Sequence, residues 1–119
     1  MKKLLATLVL GFVVLPASAA QMECMVDTAA YDEWQVSHCP NFEYTMDNNT
    51  NKAIWRVTGT TKPVSSVLWS ETTAGCASNS QYCDKQIRPY QEHVGKATIL
   101  YTDGTWEAVQ ATASFETGF

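Results

Sequence analysis

Residues 96–115, KATILYTDGTWEAVQATASF, restrict the possible folds of this chain more than any other stretch. Two runs rich in β-branched and aromatic residues flank Asp103-Gly104. Asp-Gly is a favoured pair for a two-residue type I′ hairpin loop, because both central positions require φ > 0. Pairing outward from that loop sets Tyr101 against Trp106 and Ile99 against Ala108 on one apolar face. Leu100, Glu107, Thr98 and Val109 then share the other face, which is mixed in polarity. Such a ribbon lies on a core, and since a lone hairpin is marginal in water the rest of the chain must supply a second layer.

The remaining segments are consistent with that requirement. Met22, Cys24 and Val26 alternate in a short first strand over 22–27, and Phe42, Tyr44 and Met46 alternate over 41–46. Between them, 28–36 reads as a single turn or an irregular loop, with Thr28 as a possible cap. The run 47–51, DNNTN, is turn chemistry, and its Asn48-Asn49-Thr50 sequon is read as part of that turn. Ala53, Trp55 and Val57 alternate over 52–58, with Trp55 expected at the centre of the core. Pro63 marks a strand edge or start, Val67 and Trp69 share a face over 64–70, and 84–89 is a weaker strand carrying Ile87. Residues 90–95 read as a turn or corner leading into the hairpin. Short strands at close spacing, with turn signals between them, predict an all-β protein: a seven-stranded immunoglobulin-like or fibronectin III-like sandwich. Its expected core is Phe42, Tyr44, Trp55, Val57, Trp69, Ile99, Tyr101 and Trp106. A small barrel of the oligonucleotide-binding type is the alternative, but it would want a basic groove.

Lys2-Lys3, a continuous apolar run over 4–15, Pro16 and a small-residue ASAA stretch have the layout of an export leader over 1–20. The apolar run is short for a membrane span. Cleavage there leaves one domain over 21–119, destined for the periplasm or the medium. The leader holds two of the eight basic residues and none of the twelve acidic ones, so the mature domain carries six against twelve, a net −6. With no block of positive charge, nucleic acid and anionic membrane are poor partners. Four cysteines in a short exported chain read as a disulfide framework. Sequence alone leaves three connectivities open; the favoured pairing is Cys24–Cys39 with Cys76–Cys83, the second bracketing a polar loop. Zinc is the competing use, since His38 adjoins Cys39, but no cysteine pair has finger-like spacing.

No catalytic constellation stands out. His38 and His93 are the only side chains that titrate near neutrality unperturbed, and no G-x-S-x-G elbow is present. Asp32-Glu33 reads as a solvated pair, and Glu92 beside His93 as part of a polar corner. The glycines form no phosphate-cradling loop, so no enzyme activity, cofactor or metal is expected.

None of the cysteines lies in the 96–102 strand, so the disulfide typical of immunoglobulin domains cannot form, which favours the fibronectin III variant. An export leader, the Trp55 strand, the four-cysteine set and the YTDGTW hairpin together resemble the interleukin receptor mimic family of uropathogenic Escherichia coli. That resemblance implies a small secreted protein that forms a strand-exchanged homodimer and binds host cytokines or cytokine receptors in virulence. It transfers no binding residue. From the residues themselves, exchange would hide the poorly charged continuation of the last strand over 109–115. The alternative function is a periplasmic inhibitor or accessory subunit acting through the loop between Cys76 and Cys83. A fimbrial subunit completed by a donor strand is less well matched, because the chain holds its own last strand.

Overall fold

Alternating large apolar side chains build the strand from which the structure is most easily described. In the computed structural model, which describes residues 20–28, 32–44 and 49–118, that strand is β4 (Asn51–Thr58), with Ala53, Trp55 and Val57 turned into the core. The other strands are β1 (Gln21–Val26), β2 (Gln35–Val36), β3 (His38–Phe42), β5 (Val64–Glu71), β6 (Tyr82–Ile87), β7 (His93–Tyr101) and β8 (Trp106–Glu116). No helix occurs among the described residues. The expected leader, apart from Ala20, lies outside them, as do parts of the 28–36 loop, the 41–46 strand and the 47–51 turn.

The strands form two four-stranded sheets in a sandwich-like arrangement, ordered β2-β1-β4-β6 and β3-β8-β7-β5. All pairings are antiparallel except β3 with β8. Consecutive strands β2 and β3 belong to different sheets, and Ser37 between them takes a left-handed conformation (φ 67°) at the crossing. Two disulfides, Cys24–Cys39 and Cys76–Cys83, join the layers. The first ties β1 to β3 on one side of the sandwich. The second ties the segment after β5 to β6 on the other.

The centre of the core is a large-against-small fit. Trp55 is fully buried and reaches Gly95 and Ala111 of the opposite sheet, where Ala97 and Ala113 are buried as well. Its Nε1 donates to the Ala111 carbonyl at 3.1 Å, satisfying the one polar atom of the indole. A Cβ on Gly95 would meet the indole at 2.4 Å. Gly95 is therefore not part of a corner, as its sequence context suggests, but a strand residue kept bare so that the indole can reach across.

Three expected core residues lie at the surface, for two reasons of parity. The hairpin loop is one residue longer than Asp-Gly implies: Tyr101 N–H bonds the Thr105 carbonyl, Gly104 N–H bonds the Tyr101 carbonyl, and only Gly104 (φ 89°) is left-handed. Type I turns closed by a glycine in that conformation use three loop residues. Trp106 then pairs with Leu100 instead of Tyr101, and Glu107 with Ile99. A slip of one residue exchanges the faces of a strand, so Trp106 is 64 % exposed. The second case is β3. Its disulfide holds Cys39 inside, and period-two alternation sends Phe42 and Tyr44 to the other side. Glu43 is the buried neighbour instead, accepting from Asn51 Nδ2 at 3.0 Å, while Phe42 and Tyr44 are exposed and pack edge-to-face on each other. Trp55, Val57, Trp69, Ile99 and Tyr101 are all buried.

Among the described residues there are eight strands in place of the expected seven, one of them the two-residue β2. The continuation of the last strand is not an open edge over its full length. Thr112 to Glu116 are paired with β3 of the same chain, which removes the main physical motive for strand exchange there. Pro40 is compatible with β3 because that strand lies at the rim of its sheet.

Candidate interaction surface

The outward side chains of β5, β7 and β8 form ordered rows. Register places Ser66 beside Leu100 and Leu100 beside Trp106, and in the next row Leu68 beside Thr98 and Thr98 beside Ala108. None of these six residues is charged. Trp106 and Leu68 are the most open large apolar groups of the sheet, Ala108 is exposed, and Leu100 and Thr98 are half-buried. The following row, Ser70, Lys96 and Gln110, is polar and closes the patch on that side.

The tip of the hairpin is rigidly braced. Asp103 accepts from Thr105 N–H and Oγ1 at 2.9 and 2.6 Å, and Lys62 Nζ lies 3.2 Å from its Oδ2. Those Thr105 hydrogen bonds, together with Lys62, hold the Asp103 carboxyl down at about 2. Beneath the tip, Tyr101 donates its hydroxyl to Glu107, and Lys62 sits 4.9 Å from the Tyr101 ring centroid. Burial, reinforced by Glu107, pushes the Tyr101 hydroxyl up to about 12. Trp106 thus projects from the first residue of a strand whose loop is braced, so little backbone freedom is lost when it is covered.

The opposite outer face, on β1, β4 and β6, has a different character. Arg56 bonds Glu23 at 2.6 Å and lies 3.8 Å from the Trp34 ring centroid, while Tyr82 meets Trp34 edge-on. Lys52 and Asp84 add a looser ion pair at 3.9 Å. That face is laced with charge and its Trp34 is already covered by a cation.

The residues considered for catalysis are not brought together. His38 is exposed on β3, and His93 on β7 bonds the Arg88 carbonyl through Nε2 at 3.1 Å. Asp32 accepts from the Thr28 amide and hydroxyl at 3.0 and 3.1 Å and so fastens its own loop. All four cysteines are in disulfides, and no group of three or more metal-ligating side chains occurs among the described residues. The loop between Cys76 and Cys83 does not project. Its Ala77 carbonyl accepts from Trp69 Nε1, Ser78 carbonyl from Val67 N–H and Gln81 carbonyl from Val57 N–H, at 3.2, 2.9 and 2.9 Å, laying it against β5 and β4.

The alternation around Asp103-Gly104 predicts Trp106 in the core and does not mark Leu68, Leu100 or Ala108 as a surface. For Leu100 and Ala108 the available signal is the scarcity of charge over 97–110, where only Asp103 and Glu107 are ionic; nothing in the sequence marks Leu68. No protein-family model, curated protein or solved structure matches this chain. No helix of the described residues is long and apolar enough to cross a membrane.

Proposed function

We propose that this is a non-enzymatic, exported protein-binding module of the immunoglobulin or fibronectin III type, and that it binds through the outer face of β5, β7 and β8. The observation that carries the reading is the uncharged patch of Leu68, Leu100, Ala108 and Trp106, with an indole 64 % exposed on a braced strand. Aromatic anchors in uncharged surroundings are what the centres of protein interfaces contain. The topology supports the fold assignment: apart from the two-residue β2, seven strands remain, β1-β4-β6 in one layer and β5, β7 and β8 in the other, with β3 alongside the last. Two disulfides are compatible with an oxidising compartment, the periplasm or the medium. The resemblance of the sequence to the interleukin receptor mimic family makes host cytokines and the ectodomains of their receptors the partners to try first.

The test is capture of a panel of such cytokines and ectodomains by the oxidised protein, repeated with Leu68→Ser and Trp106→Ser. Loss of about 2 kcal/mol at an interface anchor weakens binding by roughly 30-fold. A partner whose affinity falls by that factor in both variants, with unchanged circular dichroism, supports the reading. Binding that survives both substitutions would overturn the assignment of the face, and a panel without any binder would overturn the choice of partner class. An inhibitor or accessory role through the loop between Cys76 and Cys83 has less support, because the loop carbonyls are engaged by the sheets.

A further inference from the structure

Arg56 shows how the outer face of β1, β4 and β6 holds a guanidinium group. Its Nη2 lies 2.6 Å from Glu23 Oε1 and its Cζ 3.8 Å from the Trp34 ring centroid, between a carboxylate and an aromatic face. Next to it the same two kinds of group recur. Tyr82 and Asp84 share the outward side of β6, in register with Arg56 and Ile54 of β4. With Ile54, Ser80 and Cys83 they line an open cavity of about 350 Å³. Tyr82 is 56 % exposed. The cation nearest to Asp84 is Lys52, 3.9 Å away, and both of those side chains are well exposed. An ion pair of that kind contributes little, so a better-placed cation can take the carboxylate.

The cavity also adjoins a free rim, since β6 is the last strand of its sheet on this side. Val57 N–H bonds the Gln81 carbonyl, so alternate residues from Gln81 turn their backbone groups to β4, and those of Tyr82, Asp84 and Gln86 turn outward. Ser80 Oγ engages both groups of Tyr82, donating to its carbonyl at 3.0 Å and accepting from its N–H at 3.1 Å. Among the described residues no strand pairs with this side of Asp84 and Gln86.

We propose that the cavity of Tyr82, Asp84 and Ile54 binds an arginine side chain of a partner polypeptide whose extended backbone lies along the rim of β6. An arginine set beside Asp84 on the added segment is its cross-strand neighbour and the diagonal neighbour of Tyr82. Its side chain enters between the two, with the guanidinium against the carboxylate and the phenol ring and the methylenes towards Ile54. Arginine fits this pair of groups better than lysine, because a planar group can lie on a ring while its edge donates to a carboxylate, as Arg56 does. The neighbouring charge on Arg56 is balanced by Glu23. The open backbone groups of Asp84 and Gln86 select a polypeptide over a free cation, since main-chain bonds to a rim supply affinity while the pocket supplies specificity. With twelve acidic against eight basic residues, the chain as a whole attracts a basic partner. This site lies on the layer opposite the uncharged patch and does not depend on the binding face described above.

The test is an NMR titration of the oxidised protein with the blocked peptide acetyl-Thr-Val-Arg-Val-Thr-amide, up to about 10 mM, the range suited to a single weak subsite. The amide signals of Asp84 and Gln86 are expected to shift and saturate. Asp84→Asn and Tyr82→Leu should each weaken binding about fivefold, as should citrulline, uncharged and of the same shape, in place of the peptide's arginine. Lys52→Ala removes the competing cation and should tighten binding. All three substitutions alter exposed side chains, and unchanged circular dichroism confirms that the fold is kept. No shift at those amides, equal binding of the citrulline peptide, or indifference to Asp84→Asn overturns the proposal. Binding of N-acetylarginine amide as tight as that of the peptide overturns the choice of a polypeptide. Leu68→Ser separates the two readings: it should leave peptide binding unchanged while lowering partner binding at the uncharged face.

Discussion

Trp55 and Gly95 are the pair of residues on which the packing of the two layers depends most directly. Trp55→Ala would leave a cavity where the fully buried indole sits, at a cost of about 3–5 kcal/mol. That is a large part of the stability of a small domain. Gly95→Ala should cost roughly 1–3 kcal/mol, because its methyl group would intrude on the indole. The two effects are coupled. In a Trp55→Phe background Gly95→Ala should be less damaging than in the wild type, a non-additivity measurable by urea denaturation in a double-mutant cycle. Tyr101 supplies a second residue-level test. Its hydroxyl ionises near 10 in an unfolded chain and is pushed up to about 12 in the fold, first by burial and then by Glu107. The unfolded state therefore releases its proton first. This contribution to stability is complete below pH 10 and is lost as the pH rises from about 10 to 12. Phenolate absorbance should show a late step for Tyr101 near pH 12, and Glu107→Gln should bring it earlier.

At the level of elements, the disulfides do more than close short loops. Cys24–Cys39 spans 15 residues and Cys76–Cys83 spans 7, and in the chain-entropy model they contribute about 3 and about 2.5 kcal/mol. The first also sets the facing of β3. With Cys39 inside, Phe42 must point out, and the pairing of β3 with β8 covers half of a long strand. Replacing Cys24 and Cys39 together by serine should lower the urea midpoint more than replacing Cys76 and Cys83. It should also deprotect the amides of Thr112, Ser114 and Glu116, which face β3. Equal midpoint losses with those amides still protected would show that β3 docks without its staple. The hairpin between β7 and β8 teaches a related lesson. Asp103-Gly104 predicts a two-residue loop, yet Asp103 bonds Thr105 and the loop holds three residues. Both loops satisfy the same dipeptide preference; only the second is compatible with burying Tyr101 while Trp106 remains outside.

The whole molecule is asymmetric in chemistry. One outer face carries Glu23, Arg56, Lys52 and Asp84, and the other carries an uncharged patch bounded by the row of Ser70, Lys96 and Gln110. Under the proposed reading the uncharged face is the one that meets a partner, and the charged face, outside the cavity beside Tyr82, stays hydrated.

Much of this was legible in the residues. The strand content follows from period-two alternation and turn chemistry, and the two-layer arrangement from the need to bury the apolar face of a hairpin that is unstable alone. The favoured cysteine pairing corresponds to the disulfides present, because short loops rich in polar residues bring their ends close together. Trp55 could be placed at the centre because a long alternating strand has one unambiguous inner face. Facing was decided elsewhere, by contacts distant in sequence. A loop one residue longer than expected turned Trp106 outward, a bond to β1 turned Phe42 outward, and a tryptophan forty residues away kept Gly95 bare. Local preferences set the period of a strand but not its phase, and phase is chosen when two layers close on each other. The candidate binding surface consists of residues whose phase was settled in that way.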